Sequence, residues 1–120
     1  MKFYDCSTAP SPRRVRIFIA EKGLEIETVN ISIADGEQLS DDFRAVNSNC
    51  TLPALEIDDG PNILNTAGIW AYLEDKFPEP PLMGRTAAEK GHVADIRWQI
   101  EFNGSMGMAE ALRSSTPRMK

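Results

Sequence analysis

The stretch Thr51-Leu52-Pro53-Ala54-Leu55 constrains the fold of this chain more than any other. Proline has no N–H to give to a sheet ladder, so at the mouth of a short apolar run it marks a strand's first residue or a bend. Turn-rich Asp58-Asp59-Gly60-Pro61-Asn62 follows, then Ile63-Leu64-Asn65-Thr66, then an apolar-periodic run from Ile69 to Leu73. This succession reads as a strand, a hairpin turn, a returning strand and a helix opened by Thr66. With the Leu52–Pro53 bond cis, as expected here, the backbone N–H and C=O of Leu52 can turn outward and pair with an extended peptide. The helix N-terminus at Thr66 offers a carboxylate both N–H groups and the positive end of a dipole. A peptide-pairing edge beside a carboxylate site describes a binder of a small anionic peptide.

The rest of the first 77 residues supplies a frame for that edge. Lys2 to Asp5 reads as a short strand and Cys6 to Pro10 as a loop. Ser11-Pro12 reads as an N-cap followed by proline at the first helical position, with the helix running from Arg13 to Lys22 and ending at Gly23. Val15, Phe18 and Ile19 share its inner face. Ile26 to Ile33 alternates and is rich in β-branched residues, so it reads as a strand. Ala34 to Gln38 is a polar loop, and Ser40 caps a short helix to Val46. Ala54 to Ile57 is a strand, Ile63-Leu64 its returning partner, and Thr66 to Lys76 a helix with Ile69, Trp70 and Leu73 inward. The order is βαβ-α-ββα. The first two strands are expected to be parallel and the last two a hairpin. That is an α/β, thioredoxin-like arrangement.

Residues 78–87 read as a linker, since three of the chain's eight prolines fall between Pro78 and Pro81. From Ala88 to Leu112 the pattern is helical again. Val93, Ile96, Ile100 and Phe102, with Trp98, Met106, Met108 and Leu112, make an apolar band wider than one face needs, which calls for burial on more than one side. Residues 88–120 are therefore expected to begin a helical second domain that the chain leaves incomplete.

Composition narrows the function classes. The 120 residues are 42% hydrophobic and 26% charged, ordinary for a soluble globular protein. A net charge of −5 disfavours nucleic acid as a partner. The Arg13-Arg14-Val15-Arg16 cluster is either a solvated helix face or a local anion-attracting patch. Cys6 and Cys50 form no close-spaced motif, so no metal site is expected. Met1 to Asp5 is too short and polar for a signal peptide, and no apolar run approaches a membrane span. A cytoplasmic protein with two free thiols is expected.

Three segments together resemble the glutathione S-transferase family: Arg14 to Leu24 (RVRIFIAEKGL), Asn47 to Leu55 (NSNCTLPAL) and Ile63 to Leu73 (ILNTAGIWAYL). The resemblance runs from Met1 to about Leu112. It implies a thioredoxin-like glutathione-binding domain over 1–77, an all-helical second domain after the linker, and a homodimer at full length. It implies glutathione as co-substrate rather than a bound cofactor, and a small electrophile as second substrate. Pro53 matches the family's cis-proline, and Leu52 the residue whose backbone pairs with the cysteinyl unit. Thr51 matches a polar residue that touches the glycyl end. Asn65 and Thr66 match an acidic-then-serine pair that holds the γ-glutamyl end. Thr66 keeps the hydroxyl, whereas Asn65 lacks the charge that would face the ammonium.

At the position where many relatives with such a first helix carry Ser or Cys stands Ala9, which cannot stabilise a thiolate. The nearby substitutes are Cys6, Ser7, Thr8 and Ser11. Ser11 is either a plain N-cap or a thiolate donor at a helix N-terminus. Cys6 is either a buried small residue or a thiolate-handling group. Cys50 reads as a loop or core thiol, and His92, the only histidine, as a solvated helix residue. Three functions follow: a glutathione transferase, a non-catalytic glutathione-binding or interaction member, and a glutathione-dependent thiol–disulfide oxidoreductase using Cys6.

Overall fold

The computed structural model describes residues 1–115. They divide into two compact units, one from Met1 to Pro80 and the other from Pro81 onward. In the first, strand β1 (Lys2–Asp5) leads into helix α1 (Pro10–Glu21), strand β2 (Glu27–Asn30), helix α2 (Asp41–Val46), strand β3 (Ala54–Glu56) and helix α3 (Thr66–Lys76). The sheet order is β2-β1-β3. β1 runs parallel to β2, Lys2 facing Glu27, and antiparallel to β3, Tyr4 facing Ala54. This is the expected thioredoxin-like α/β domain.

Two apolar clusters hold the sheet in place. α1 and α3 pack on each other and on β1 and β3 respectively. Phe3, Val15, Leu55, Ile69 and Leu73 are fully buried, each side chain contributing about 1.5–3 kcal/mol of transfer free energy. Tyr4, the next residue along β1 and so on the opposite face, joins Phe43 of α2 and Ala54 in a second cluster. Its ring meets Phe43 edge-on at 5.8 Å.

Several boundaries depart from the sequence expectation, each for a local reason. α1 opens at Pro10 with Ala9 at the cap and no side-chain cap hydrogen bond, so Ser11 lies inside the first turn rather than capping it. Pro10 already supplies the helical φ that favours the first position, so the helix need not wait for Pro12. β2 stops at Asn30 because its partner β1 stops at Asp5; the last rung is Ile31 N–H to Asp5 C=O, 2.7 Å. The returning strand is a single antiparallel pair, Leu55 with Ile63, bonded both ways at 2.8 and 2.9 Å. It cannot lengthen because Asn65 is already in the cap of α3. At the far end of α1, Gly23 takes φ 63°, and Leu24 N–H bonds Ile19 C=O at 3.1 Å. That closes the helix as glycine at this position commonly does.

In the second unit α4 (Ala87–Ile100) starts from a reciprocal cap. Thr86 accepts from Glu89 N–H at 3.2 Å, and Glu89 accepts from the backbone N–H of Thr86 and Arg85 at 3.2 and 2.7 Å. The expected single helix to Leu112 is interrupted by one wide turn, Glu101–Met106, before α5 (Gly107–Ser115). Asn103-Gly104-Ser105, all poor helix formers, occupies that turn. Ile96, Trp98, Ile100, Phe102, Met106, Met108 and Leu112 are all at least half exposed.

Candidate functional site

Sheet topology gathers the residues singled out in the sequence at one end of the sheet. Cys6 follows the C-terminal end of β1, and Pro53 precedes β3, whose Ala54 faces Tyr4. Asn65 stands two residues beyond Ile63 and Pro53 two before Leu55, so the antiparallel Leu55–Ile63 pair brings these two segments to the same edge. The Leu52–Pro53 peptide is cis, as expected; a second cis bond, Glu79–Pro80, was not foreseen.

The segment before Pro53 is held by a residue the sequence reading passed over. Asn47 is buried at 1% exposure. Its amide donates to Thr51 C=O at 2.8 Å and Thr51 Oγ1 at 3.1 Å, and its own oxygen accepts from Asn49 N–H at 3.0 Å. The approach to Leu52 is therefore set from inside, while Thr51 itself is exposed and Leu52 partly exposed. Cys50, at φ 55°, lies in the turn between Asn47 and Thr51. The signal was the asparagine directly after a helix and before a polar loop, a position where a side-chain amide replaces helical hydrogen bonds.

Asn65 and Thr66 divide their roles differently from the sequence expectation. The cap of α3 is Asn65, whose Oδ1 accepts from Gly68 N–H at 2.8 Å, while Thr66 is the first helical residue and is buried. Gly68 is what lets the cap close. A Cβ there would stand 2.9 Å from Ile63 Cγ2 and 3.3 Å from Asn65 Oδ1.

At the β1–α1 junction Cys6 is buried at 2% exposure, with its Sγ 3.5 Å from Thr8 Oγ1. Burial pushes its thiol pKa up. The Thr8 hydroxyl and backbone N–H groups at Ile33, Thr8 and Ala9 outweigh this, so the thiol titrates below the ordinary range. Ser7 and Thr8 are exposed. Pro10 and Pro12 have no N–H, so Ser11 carries the only amide proton among the first three residues of α1. Ser11 Oγ accepts from Arg14 Nη2 at 3.4 Å. The basic cluster is neither a bare face nor an open patch. Arg14 lies 5.6 Å over the Trp70 ring, and Arg16 is paired with Asp5 at 2.6 Å.

Elsewhere, a cavity of about 370 Å³ on the α2 flank is lined by Tyr4, Val29, Ile31, Phe43 and Val46 with Glu37, Ser40 and Asp42. None of the expected site residues lines it. Among the described residues there is no group of three or more His, Cys, Asp or Glu able to hold a metal ion. No helix among them is long and apolar enough to cross a membrane. His92 is exposed.

A profile of the glutathione S-transferase N-terminal domain matches residues 8–76. The chain belongs to the glutathione S-transferase family. Glutathione S-transferase 2 of Saccharomyces cerevisiae is 37% identical over 106 residues, covering 85% of this chain and 46% of that protein. A stringent starvation protein A homolog of Pasteurella multocida is 40% identical over 98 residues, covering 82% of this chain and 44% of that one. A glutathione S-transferase domain-containing protein of Marinobacter aquaeolei superposes with a TM-score of 0.76 at 39% identity, over 84% of this chain and 50% of its own. The chain thus spans about half the length of the curated relatives it matches.

Proposed function

We propose that this chain carries the glutathione-binding part of a glutathione transferase. The reading places glutathione along Thr51, Leu52 and Pro53, with its γ-glutamyl carboxylate at the Thr66 hydroxyl and the N-terminus of α3. Its ammonium lies toward Asn65. The observation that carries the reading is the gathering of these two segments at one sheet end, next to the β1–α1 loop. An edge of backbone groups recognises a peptide, and a helix N-terminus recognises a carboxylate.

The chemistry needs one proton removed. A thiol near the ordinary ~8.5 is mostly protonated at neutral pH. Donors aimed at the sulfur stabilise the thiolate, which attacks the electrophile while the proton leaves to solvent. With Ala9 inert, Ser11 supplies those donors through its hydroxyl and its amide N–H, at the positive end of α1. In this reading residues 1–77 are the glutathione domain, 78–87 the linker and 88–120 the start of the helical domain. The full-length protein is cytoplasmic and homodimeric, and its helical domain completes the electrophile's pocket.

A second reading draws on Cys6. Its lowered thiol pKa suits a glutathione-dependent thiol–disulfide oxidoreductase, in which the Cys6 thiolate attacks glutathione disulfide and releases one glutathione. Calorimetry with reduced glutathione, followed by turnover of an aromatic electrophile by the full-length protein, separates the alternatives. Binding with turnover that survives Cys6→Ser supports the transferase. Disulfide reduction with glutathione that is lost on Cys6→Ser supports the oxidoreductase, binding without either turnover supports a non-catalytic member, and no binding removes the glutathione reading altogether.

A further inference from the structure

We infer that Arg16 is a positioning residue for the β1–α1 loop, and that it acts on the reaction through the loop's geometry rather than through its own charge. The inference rests on the glutathione reading above. Arg16 Nη1 lies 2.6 and 2.8 Å from the two Asp5 carboxylate oxygens and also donates to Cys6 C=O at 3.2 Å. Nη2 donates to Ser7 C=O at 3.3 Å. The Asp5 side chain is only 7% exposed, so the pair is anchored in the domain interior. From the other side Asn30 Oδ1 accepts Ser7 N–H at 2.9 Å, and Ala9 N–H closes back on Cys6 C=O at 3.0 Å.

Ser7 and Thr8 are exposed, and exposed loops of this kind are ordinarily among the mobile parts of a fold. Here the backbone groups of Cys6 and Ser7 are tied to β1, β2 and α1 at once. The planar fork of arginine makes this possible, because it meets a carboxylate and two carbonyls in one fixed geometry; a lysine ammonium cannot. Asp5 offsets the positive charge of Arg16, so little field remains to act on a nearby sulfur. What Arg16 supplies is the fixed placement of the Cys6–Ser7 backbone against the first turn of α1, where Ser11 stands. Donors held in place before the charge forms stabilise it without reorganising.

The test uses the 120-residue chain and needs no turnover. S-methylglutathione, which has no ionisable thiol, reports binding by calorimetry. The ultraviolet difference spectrum of bound glutathione reports its thiolate fraction against pH. Arg16→Lys keeps the charge pair and removes the fork. Asn30→Ala loosens Ser7 without touching the buried pair. In both we expect S-methylglutathione affinity within about twofold of wild type. The thiolate fraction at neutral pH should fall, by about tenfold in Arg16→Lys and less in Asn30→Ala. Unchanged thiolate fractions in both variants would overturn the inference. So would a parallel loss of affinity, thiolate and melting temperature, which marks a merely structural role. Failure of the unsubstituted chain to bind S-methylglutathione would remove the glutathione reading itself, before any variant is compared.

Discussion

Lys22 Nζ lies 2.6 Å from a Glu74 carboxylate oxygen, with the lysine side chain entirely out of solvent. The same ammonium donates to Phe77 C=O at 2.7 Å and Pro80 C=O at 2.8 Å. One residue at the end of α1 thus fastens the end of α3 and the chain leaving it. Lys22→Met would strand a carboxylate and two carbonyls. Removing one partner of a buried pair typically costs about 3–5 kcal/mol. Urea denaturation should show a loss of that order, and Glu74→Gln a smaller one. A loss under about 1 kcal/mol would mean that the pair behaves as a surface contact.

Thr66 and Asn65 should separate in their effects. Because Asn65 caps α3, Thr66→Ala should leave stability nearly intact while weakening glutathione binding by about 1–2 kcal/mol. Asn65→Ala should cost about 1 kcal/mol of stability through the lost cap. Asn65→Asp keeps a capping oxygen and adds a charge, so it should tighten glutathione binding if the ammonium lies where we place it. Paired calorimetry and thermal melts read both columns. A Thr66→Ala chain that melts early but binds normally would reverse the assignment.

Gly68→Ala is a test in which two rules point opposite ways. Alanine favours a helix over glycine by about 1 kcal/mol. The added Cβ would lie 2.9 Å from Ile63 Cγ2, on the residue that forms the returning pair with Leu55. We expect the clash to win and the variant to melt below wild type. A higher melting temperature would show that Ile63 gives way freely.

Tyr4 donates to Glu56 Oε2 at 2.9 Å. Burial, then the hydrogen bond to Glu56 and the charges of Glu56 and Glu27, push its phenol up to about 12. The folded-state pKa is above the unfolded one, so this contribution to stability is complete below about pH 10. It is lost as pH rises from there through about 12. Denaturation curves at rising alkaline pH should fall more steeply for wild type than for Tyr4→Phe. Parallel curves would show that the phenol gains nothing from its partner.

The 120-residue chain, produced alone, should self-associate through the exposed apolar band of α4 and α5, since contiguous apolar surface of this kind drives association. Trp98 and Phe102, whose ring centroids lie 4.3 Å apart with the planes tilted by 40°, belong to that band. Sedimentation should show oligomers that Trp98→Glu/Phe102→Glu shifts toward monomer. A wild-type monomer at high concentration would contradict the expectation.

What was legible in the sequence follows from the range of the signals. Strand and helix order could be read because hydrophobic period and Gly/Pro punctuation are local; β1, α3 and the Ser40 cap of α2 were found this way. Which of two adjacent residues caps a helix was not legible. Asn65 and Thr66 are both good caps, and the tertiary path decides between them. The roles of Asn47, Asp5, Arg16 and Lys22 were hidden for another reason. Each depends on a partner that the fold brings near, such as Glu74 for Lys22, and a single sequence carries no mark of that pairing. The same holds for the Leu55–Ile63 pair, whose shortness reflects the cap of α3 rather than any property of Leu64.

The buried Asn47 amide makes the turn before Pro53 a frame with an interchangeable filling. Both ends of the turn are fixed by one side chain, at Asn49 N–H and at the Thr51 oxygens. Ser48 and Asn49 are exposed, and their side chains carry no part of that frame. They can be replaced, charged or lengthened without moving Leu52. Cys50 is the exception, because a left-handed φ of 55° suits glycine or asparagine better than cysteine. An engineer wishing to alter what surrounds the Leu52 edge, without disturbing the edge itself, has two free positions and one that should become glycine.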